Sequence, residues 1–324
     1  MSHLLWQSWS HVKSGWFKLP RWDYCPVSQT APENKKPPNF NLKAPISGWC
    51  SWHSFGKNIN HNLILNQAKK AKARQLKYIL IDDGWCRWGD WLQPNRQKFP
   101  QGMKQLTGNI HGLGLKTGLW MAPFLIDPKS KLYRLHPDWI VRDKWGHPIN
   151  GWLFMPRISS LLGFKKFILD YENPLVKKYI FNTLSHAIEK WHIKLLKLDF
   201  LYAPYFNPRY TTDQKPHSIL VDLFTFLKTN FPQVYTIACG CPFKPAKYLV
   251  DAIRISPDIN SPLLQKIPVI NQLFSFNRFR HLLANWQNNI PLNKYFHLDP
   301  DAIVYNQEHA IYQTSQVRFI GHKL

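Results

Sequence analysis

Ile193-Lys194-Leu195-Leu196-Lys197-Leu198-Asp199-Phe200-Leu201-Tyr202 is the stretch whose reading decides the fold. A short apolar run bounded by polar residues is the mark of a buried strand. Side chains alternate along a strand, so Lys197 and Asp199 share one face and Leu196, Leu198 and Phe200 the other. An ammonium and a carboxylate at the end of a buried strand are costly to desolvate unless they pair or carry chemistry. Taken alone, Lys197-x-Asp199 reads first as a structural ion pair. The strands around it change that reading.

From Ile46 onward, strand-like runs alternate with helical stretches. The first strand is expected at Ile46–Trp52, followed by an amphipathic helix from Asn62 to Gln75 with apolar Leu63, Ile64, Ala68 and Ala71 among charges. Tyr78–Trp85 is the second strand and ends in adjacent aspartates. A helix over Lys98–Leu113 stops at glycine, and Leu115–Pro123 is the third strand. Phe167–Asp170 is read as the fourth. Asn173-Pro174 opens a helix to about Trp191, with proline in the first turn. The Lys197/Asp199 strand is fifth, and Ile219–Thr229 is helical. Val234–Cys241, Asp251–Asp258 and Phe296–Val304 are sixth, seventh and eighth.

Eight strands alternating with helices point to an α/β fold, a (β/α)8 barrel, whose usual length is about 250 residues. An open doubly wound sheet is the runner-up, but no G-x-G-x-x-G follows the first strand. Residues 1–45 differ from the rest. Pro26, Pro32, Pro37, Pro38 and Pro45 interrupt them, which is linker-like composition. The expected organisation is an irregular segment over 1–45, a linker or the remnant of a preceding β-domain, and a catalytic barrel over 46–324.

Composition sets the outer bounds. The chain has 324 residues, 44% of them hydrophobic, which supports a sizeable core and excludes global disorder. No run of about 18 apolar residues is present, so no membrane span is expected. The N-terminus lacks the basic and apolar regions of a secretory signal. Five cysteines, Cys25, Cys50, Cys86, Cys239 and Cys241, are an odd number, and reduced thiols in a cytoplasmic protein are the simplest reading. The formal charge of +23 would attract polyanions, but the Lys and Arg are scattered. Their densest group, Lys69, Lys70, Lys72, Arg74 and Lys77, reads as a solvated helix face. Fifteen tryptophans suit sugar binding and a large core equally.

In a barrel, catalytic groups gather at the C-terminal ends of the strands. Here those ends carry Trp49, Asp82-Asp83, Trp120, Lys197-x-Asp199, Cys239 and Arg254…Asp258. Cys239-Gly240-Cys241 lacks metal-ligand spacing, and neither a P-loop nor a G-x-S-x-G elbow occurs. Carboxylates, aromatics and two cations remain, the equipment of glycoside hydrolysis. Lys197 beside Asp199 would keep that carboxylate ionised and able to attack an anomeric carbon. Asp258, after Pro257, is the candidate acid, and Arg254 is assigned to hydroxyl binding. Asp82 and Asp83 could hold two vicinal hydroxyls, or serve as an N-cap and a turn residue.

Eight collinear motifs between about Ile46 and Ile303 resemble the melibiase-type α-galactosidases, glycoside hydrolase family 36. They are Gly48-Trp49-Cys50-Ser51-Trp52, Ile81-Asp82-Asp83-Gly84-Trp85, Phe99-Pro100-x-Gly102-Met103, Gly118-Leu119-Trp120, His136-Pro137-Asp138-Trp139, Leu196-Lys197-Leu198-Asp199-Phe200, Val250-Asp251-Ala252-Ile253-Arg254 and Asp299-Pro300-Asp301. The resemblance implies a retaining α-galactosidase barrel, with Asp199 as nucleophile and Asp258 as acid/base. It implies a galactose site lined by Trp49, Asp82, Asp83, Trp120, Lys197, Cys239 and Arg254. No metal or organic cofactor is implied. Full-length members that the chain resembles carry a β-domain on either side of the barrel; here both are absent or cut short. Gln307–Leu324 fits a last barrel helix poorly, so an incomplete final helix is expected. The partner implied is an α-galactoside, with neither nucleic acid nor membrane.

Four other readings stay open, the first from the resemblance and three from the residues. Galactosyl transfer would use the same site. A non-catalytic carbohydrate-binding barrel would keep the Trp-lined mouth. Nucleic-acid association rests on charge only and predicts steep salt dependence. A Schiff base at Lys197 is opposed by the neighbouring Asp199, which would raise the lysine pKa.

Overall fold

A computed structural model describes residues 34–38, 40–151, 165–255, 289–301, 317–320 and 324. One sheet dominates. Its strands are β1 (Ile46–Cys50), β2 (Tyr78–Ile81), β3 (Lys116–Met121), β6 (Leu195–Leu198), β7 (Tyr235–Ala238), β8 (Ala252–Arg254), β9 (His297–Asp299) and β10 (Val317–Ile320). Two short strands, β4 (Leu125–Ile126) and β5 (Phe167–Ile168), form a separate antiparallel pair. The eight sheet strands run β10-β1-β2-β3-β6-β7-β8-β9, all parallel, and β9 reaches β10, so the sheet curls into a nearly closed barrel.

Alternation along the strands divides the core in two. Cys50, Tyr78, Leu80, Leu195, Ile237 and Phe319 fill the barrel interior. Ile79, Ile81, Leu119, Leu196, Leu198 and Ile253 face outward into the larger cluster beneath the helices. Four helices supply that outer layer: α1 (His61–Ala73), α2 (Gly102–Gly112), α3 (Pro174–Lys190) and α4 (Gln214–Asn230). In α1 the buried residues Ile64, Ala68 and Ala71 recur at helical spacing, and the Asn60 side chain accepts the Leu63 N–H at 2.9 Å as cap. Asn173 caps α3 in the same way, with Pro174 in its first turn. Among the described residues no helix is long and apolar enough to cross a membrane.

Two strand expectations change. Phe167-Ile168 is not in the barrel. It pairs antiparallel with Leu125-Ile126 in the segment between β3 and α3, and β3 pairs directly with β6. A short apolar run has no periodicity to separate a barrel strand from a strand beside the barrel. The segment around His297 is the seventh barrel strand, not the eighth. The eighth is Val317–Ile320, which pairs with β1 in the register Ile46↔Val317 to Trp49↔Ile320. The poor helical fit of the region after 307 thus has a physical cause at 317–320: alternating Val317 and Phe319 point into the barrel.

The described part of residues 34–45 is fastened to the N-terminal end of the barrel. Lys43 pairs with Asp251 at 2.9 Å, and its carbonyl meets His297 Nε2 at 2.8 Å. Asn34 Nδ2 donates to the carbonyls of Pro245 and Lys247, both at 3.0 Å.

Gly48 marks the tightest approach in the sheet. A Cβ there would lie 2.6 Å from the Tyr78 carbonyl oxygen and 2.7 Å from Phe319 Cε1. Gly48→Ala is therefore expected to destabilise the protein by about 1–3 kcal/mol, the usual cost of overpacking. A chemical melt of the two proteins measures it, and an unchanged midpoint would contradict the close approach.

Candidate active site

The C-terminal ends of β2, β3, β6, β7, β8 and β9 bring most of the expected residues to one mouth. Lys197 lies on the inner face of β6. Its ammonium sits 2.7 Å from Asp82 Oδ2, and both side chains are at most 5% exposed. The sequence reading gave this lysine to Asp199; the ion pair it makes is across the sheet with Asp82. Burial opposes its charge, but the Asp82 carboxylate, aided by Cys50, outweighs burial and holds the Lys197 pKa well above that of free lysine. Asp82 is further fixed at both oxygens: Oδ1 accepts the Asp83 N–H at 2.9 Å, and the Cys50 thiol lies 3.5 Å from Oδ2.

Asp199 follows directly on β6 and is half-buried. Its Oδ2 accepts Trp120 Nε1–H at 3.0 Å and its Oδ1 accepts the Phe200 N–H at 2.7 Å. Two donors on two oxygens suit a carboxylate anion. Phe200 has φ 55°, in the left-handed region that costs a side-chain-bearing residue energy. That turn carries Leu201 back to the Cys239 carbonyl. Cys239 stands beside Asp199; burial, and then the Asp199 charge, raise its pKa well above that of a free thiol and keep it protonated.

Asp83 accepts Trp88 Nε1–H at 2.8 Å and lies 3.3 Å from the Lys57 ammonium. Burial raises its pKa, against the pull of Lys57 and Trp88. The Trp88 ring centroid is 5.1 Å from that of Trp120 and 5.2 Å from that of Phe200, so an aromatic wall runs from Asp83 to Asp199. On the opposite side, Arg254 Nε donates to Asp299 Oδ2 at 2.9 Å and Nη1 lies 2.7 Å from Asp301 Oδ1.

Two of the expected residues stand apart. Trp49 is fully buried, but it pairs in register with outward-facing Ile79 and packs under the helices against Phe55. Parity explains this: Trp49 is one residue from inward-facing Cys50. Trp52, immediately after β1, is the tryptophan of that motif that packs on the barrel-interior cluster. Asp258 lies outside the described residues; the β8 end is described to Ile255.

The sequence reading missed Trp88, His53, Asp299 and Asp301 as members of the mouth. The signal for the last two was present. Asp299 and Asp301 share the parity of Arg254 in the paired strand, just as Asp199 shares that of Lys197. Cys50, Cys86, Cys239 and Cys241 are free thiols, and among the described residues no group of three acidic, His or Cys side chains could hold a metal ion.

Carboxylates are set against indole rings at the mouth of a parallel barrel, where barrel folds place their functional groups. The class defined here is thus that of the parallel (β/α)8 barrels with an acidic, aromatic-walled mouth. Comparison with known proteins gives the family: the chain belongs to the melibiases, whose family model matches residues 39–243. It is 31% identical over 157 residues to α-galactosidase AgaA of Geobacillus stearothermophilus, covering 46% of this chain and 20% of that protein. It is 28% identical over 203 residues to the α-galactosidase of Escherichia coli, covering 59% and 26%. Those matches span between 20% and 26% of each relative's length. Among solved structures, the α-galactosidase TtGalA of Thermus thermophilus, in complex with p-nitrophenyl α-D-galactopyranoside, superposes with a TM-score of 0.71. It is 26% identical, over 90% of this chain and 60% of that one.

Proposed function

We propose that this chain is the catalytic barrel of a retaining α-galactosidase. One observation carries the reading: Asp199, half-buried and fixed by Trp120 and the Phe200 amide, stands at the mouth of a melibiase-family barrel. The neighbours that act on or were solved with α-galactosides support the substrate class.

In the proposed reaction, an Asp199 oxygen attacks the anomeric carbon while the glycosidic bond breaks and the leaving oxygen takes a proton from Asp258. A β-linked galactosyl ester results. Asp258, now a base, removes a proton from water; the water oxygen attacks the same carbon, and Asp199 leaves with α-galactose formed. Retention needs carboxyl groups about 5–5.5 Å apart, against about 6.5–9.5 Å for inversion. Lys197, Asp82 and Asp83 would bind hydroxyls, with Arg254 opposite and Trp120, Trp88 and Trp52 as apolar walls. The Cys239 thiol, held protonated, would pack against the ring.

The test is turnover of p-nitrophenyl α-galactoside beside its β-anomer, with the first-formed sugar followed by proton NMR. Release from the α-anomer alone, with α-galactose appearing before mutarotation, is expected. Cleavage of neither anomer by a cooperatively folded protein would overturn the hydrolase reading. β-Galactose as first product would replace double displacement by inversion.

A further inference from the structure

We infer that Asp301 is a positioning residue, which with His53 and Asp299 holds the Arg254 guanidinium at the mouth; this deepens the proposed α-galactosidase reading and rests on it. The four side chains come from three separate strand ends. His53 lies in the short helix Trp52–Phe55 that follows β1, Arg254 closes β8, Asp299 closes β9, and Asp301 stands two residues beyond. All are nearly inaccessible, at 1% for His53 and Asp301, 2% for Asp299 and 7% for Arg254.

The contacts form one connected chain. Asp301 Oδ1 takes both His53 Nε2, at 3.0 Å, and Arg254 Nη1, at 2.7 Å. Asp299 divides its two oxygens between Arg254 Nε, at 2.9 Å, and the Asp301 N–H, at 3.0 Å. The guanidinium is therefore gripped at two nitrogens by two carboxylates, which fixes its plane as well as its place. Lys could not reproduce that grip. Asp301 has φ 89°, a conformation that an aspartate adopts at a cost. Strain retained at a buried, fully engaged side chain marks a position held for its geometry. The quartet also spans from β1 to β9, the two strands that flank β10 in the ring.

The electrostatic field at Asp301 supports the same role. Arg254, and then His53, lower the Asp301 pKa far below the usual carboxylate range in spite of its burial, which acts the other way. Lys197 adds to that field from the facing strand.

The test compares Asp301→Asn, His53→Gln and His53→Leu with the native protein. Three readings are taken: thermal midpoint, kcat and KM on p-nitrophenyl α-galactoside, and D-galactose binding by tryptophan fluorescence. Gln keeps an N–H donor toward Asp301; Leu does not. Asp301→Asn and His53→Leu are expected to weaken galactose binding and raise KM roughly 10–100-fold, the range lost with one charge-assisted hydrogen bond. kcat should change less, and His53→Gln should recover most of the loss. In a double-mutant cycle with Arg254→Lys, the Asp301→Asn effect should largely vanish. Equal loss in His53→Gln and His53→Leu, additive effects in the cycle, or changes confined to the midpoint would overturn the inference. If the native protein neither cleaves α-galactosides nor binds galactose, the functional reading fails separately. Positioning is then read from NMR of the Arg254 guanidinium protons. Slow exchange that is lost in Asp301→Asn supports it, and identical exchange overturns it.

Discussion

Asp199→Asn is expected to fold like the native protein and to lose turnover of an α-galactoside by a factor on the order of 10⁴ or more, the scale reached when a nucleophile is removed. The substitution is nearly isosteric. Its amide oxygen can still accept Trp120 Nε1–H or the Phe200 N–H. The side chain is half-buried, so the melt should move little. What disappears is the attacking anion. The smaller Asp199→Gly makes the assignment sharper, because it leaves space for an added anion. Azide should then restore release of p-nitrophenol and give the β-galactosyl azide, since azide attacks the anomeric carbon from the side that Asp199 vacates. Restored turnover with an α-azide product would place the nucleophile elsewhere. So would an Asp199→Asn protein of native activity.

Lys197→Met should show the largest stability loss. The residue is 4% exposed, and its ammonium is 2.7 Å from an Asp82 carboxylate that is itself 2% exposed. Removing the lysine leaves a buried anion with only the Asp83 amide and the Cys50 thiol beside it. Loss of one partner from a buried pair typically costs about 3–5 kcal/mol, whereas replacing both by apolar groups is often neutral. Lys197→Met is therefore expected to lower the unfolding free energy by about that amount, and Lys197→Met with Asp82→Leu to regain much of it. Urea melts of the three proteins measure both. A loss of under about 1 kcal/mol in the single variant would show the pair to be far more solvated than its burial implies. The pH dependence follows from the raised lysine pKa. Its contribution should be complete below the unfolded value near 10.4 and fall only as pH rises beyond it.

Much of the barrel was legible because alternation and charge coincide. The run Leu195–Asp199 alternates inward and outward as read, and Asp82, Lys197 and Cys239 share the inner face. Parity within a strand survives any error in its partners. Partner choice does not, and two misplacements follow from that. Phe167-Ile168 is as apolar as a barrel strand, yet it pairs beside the barrel. Val317–Ile320 falls in the stretch read as an ill-fitting last helix, because Phe296–Val304 already completes the count of eight strands. Trp49 reads as a strand end at the mouth, although parity with Cys50 places it among the helices; Trp52 meets the interior instead. The Lys197–Asp82 pair joins residues 115 positions apart, a separation that period-two reasoning within one strand cannot bridge. The same holds for His53 and Asp301, 248 positions apart.

The pairing of β1 with β10 has a consequence for biosynthesis. Ile46 emerges from the ribosome long before its neighbour Val317. Until then β1 holds only one of its two flanking strands and shows a bare backbone rim to the cell, the kind of surface that recruits stray chains. Such sequence-distant pairing makes for slow acquisition of the native state. Chaperone demand in the cell should therefore track the interval between synthesis of the first barrel strand and the seating of the neighbour made last.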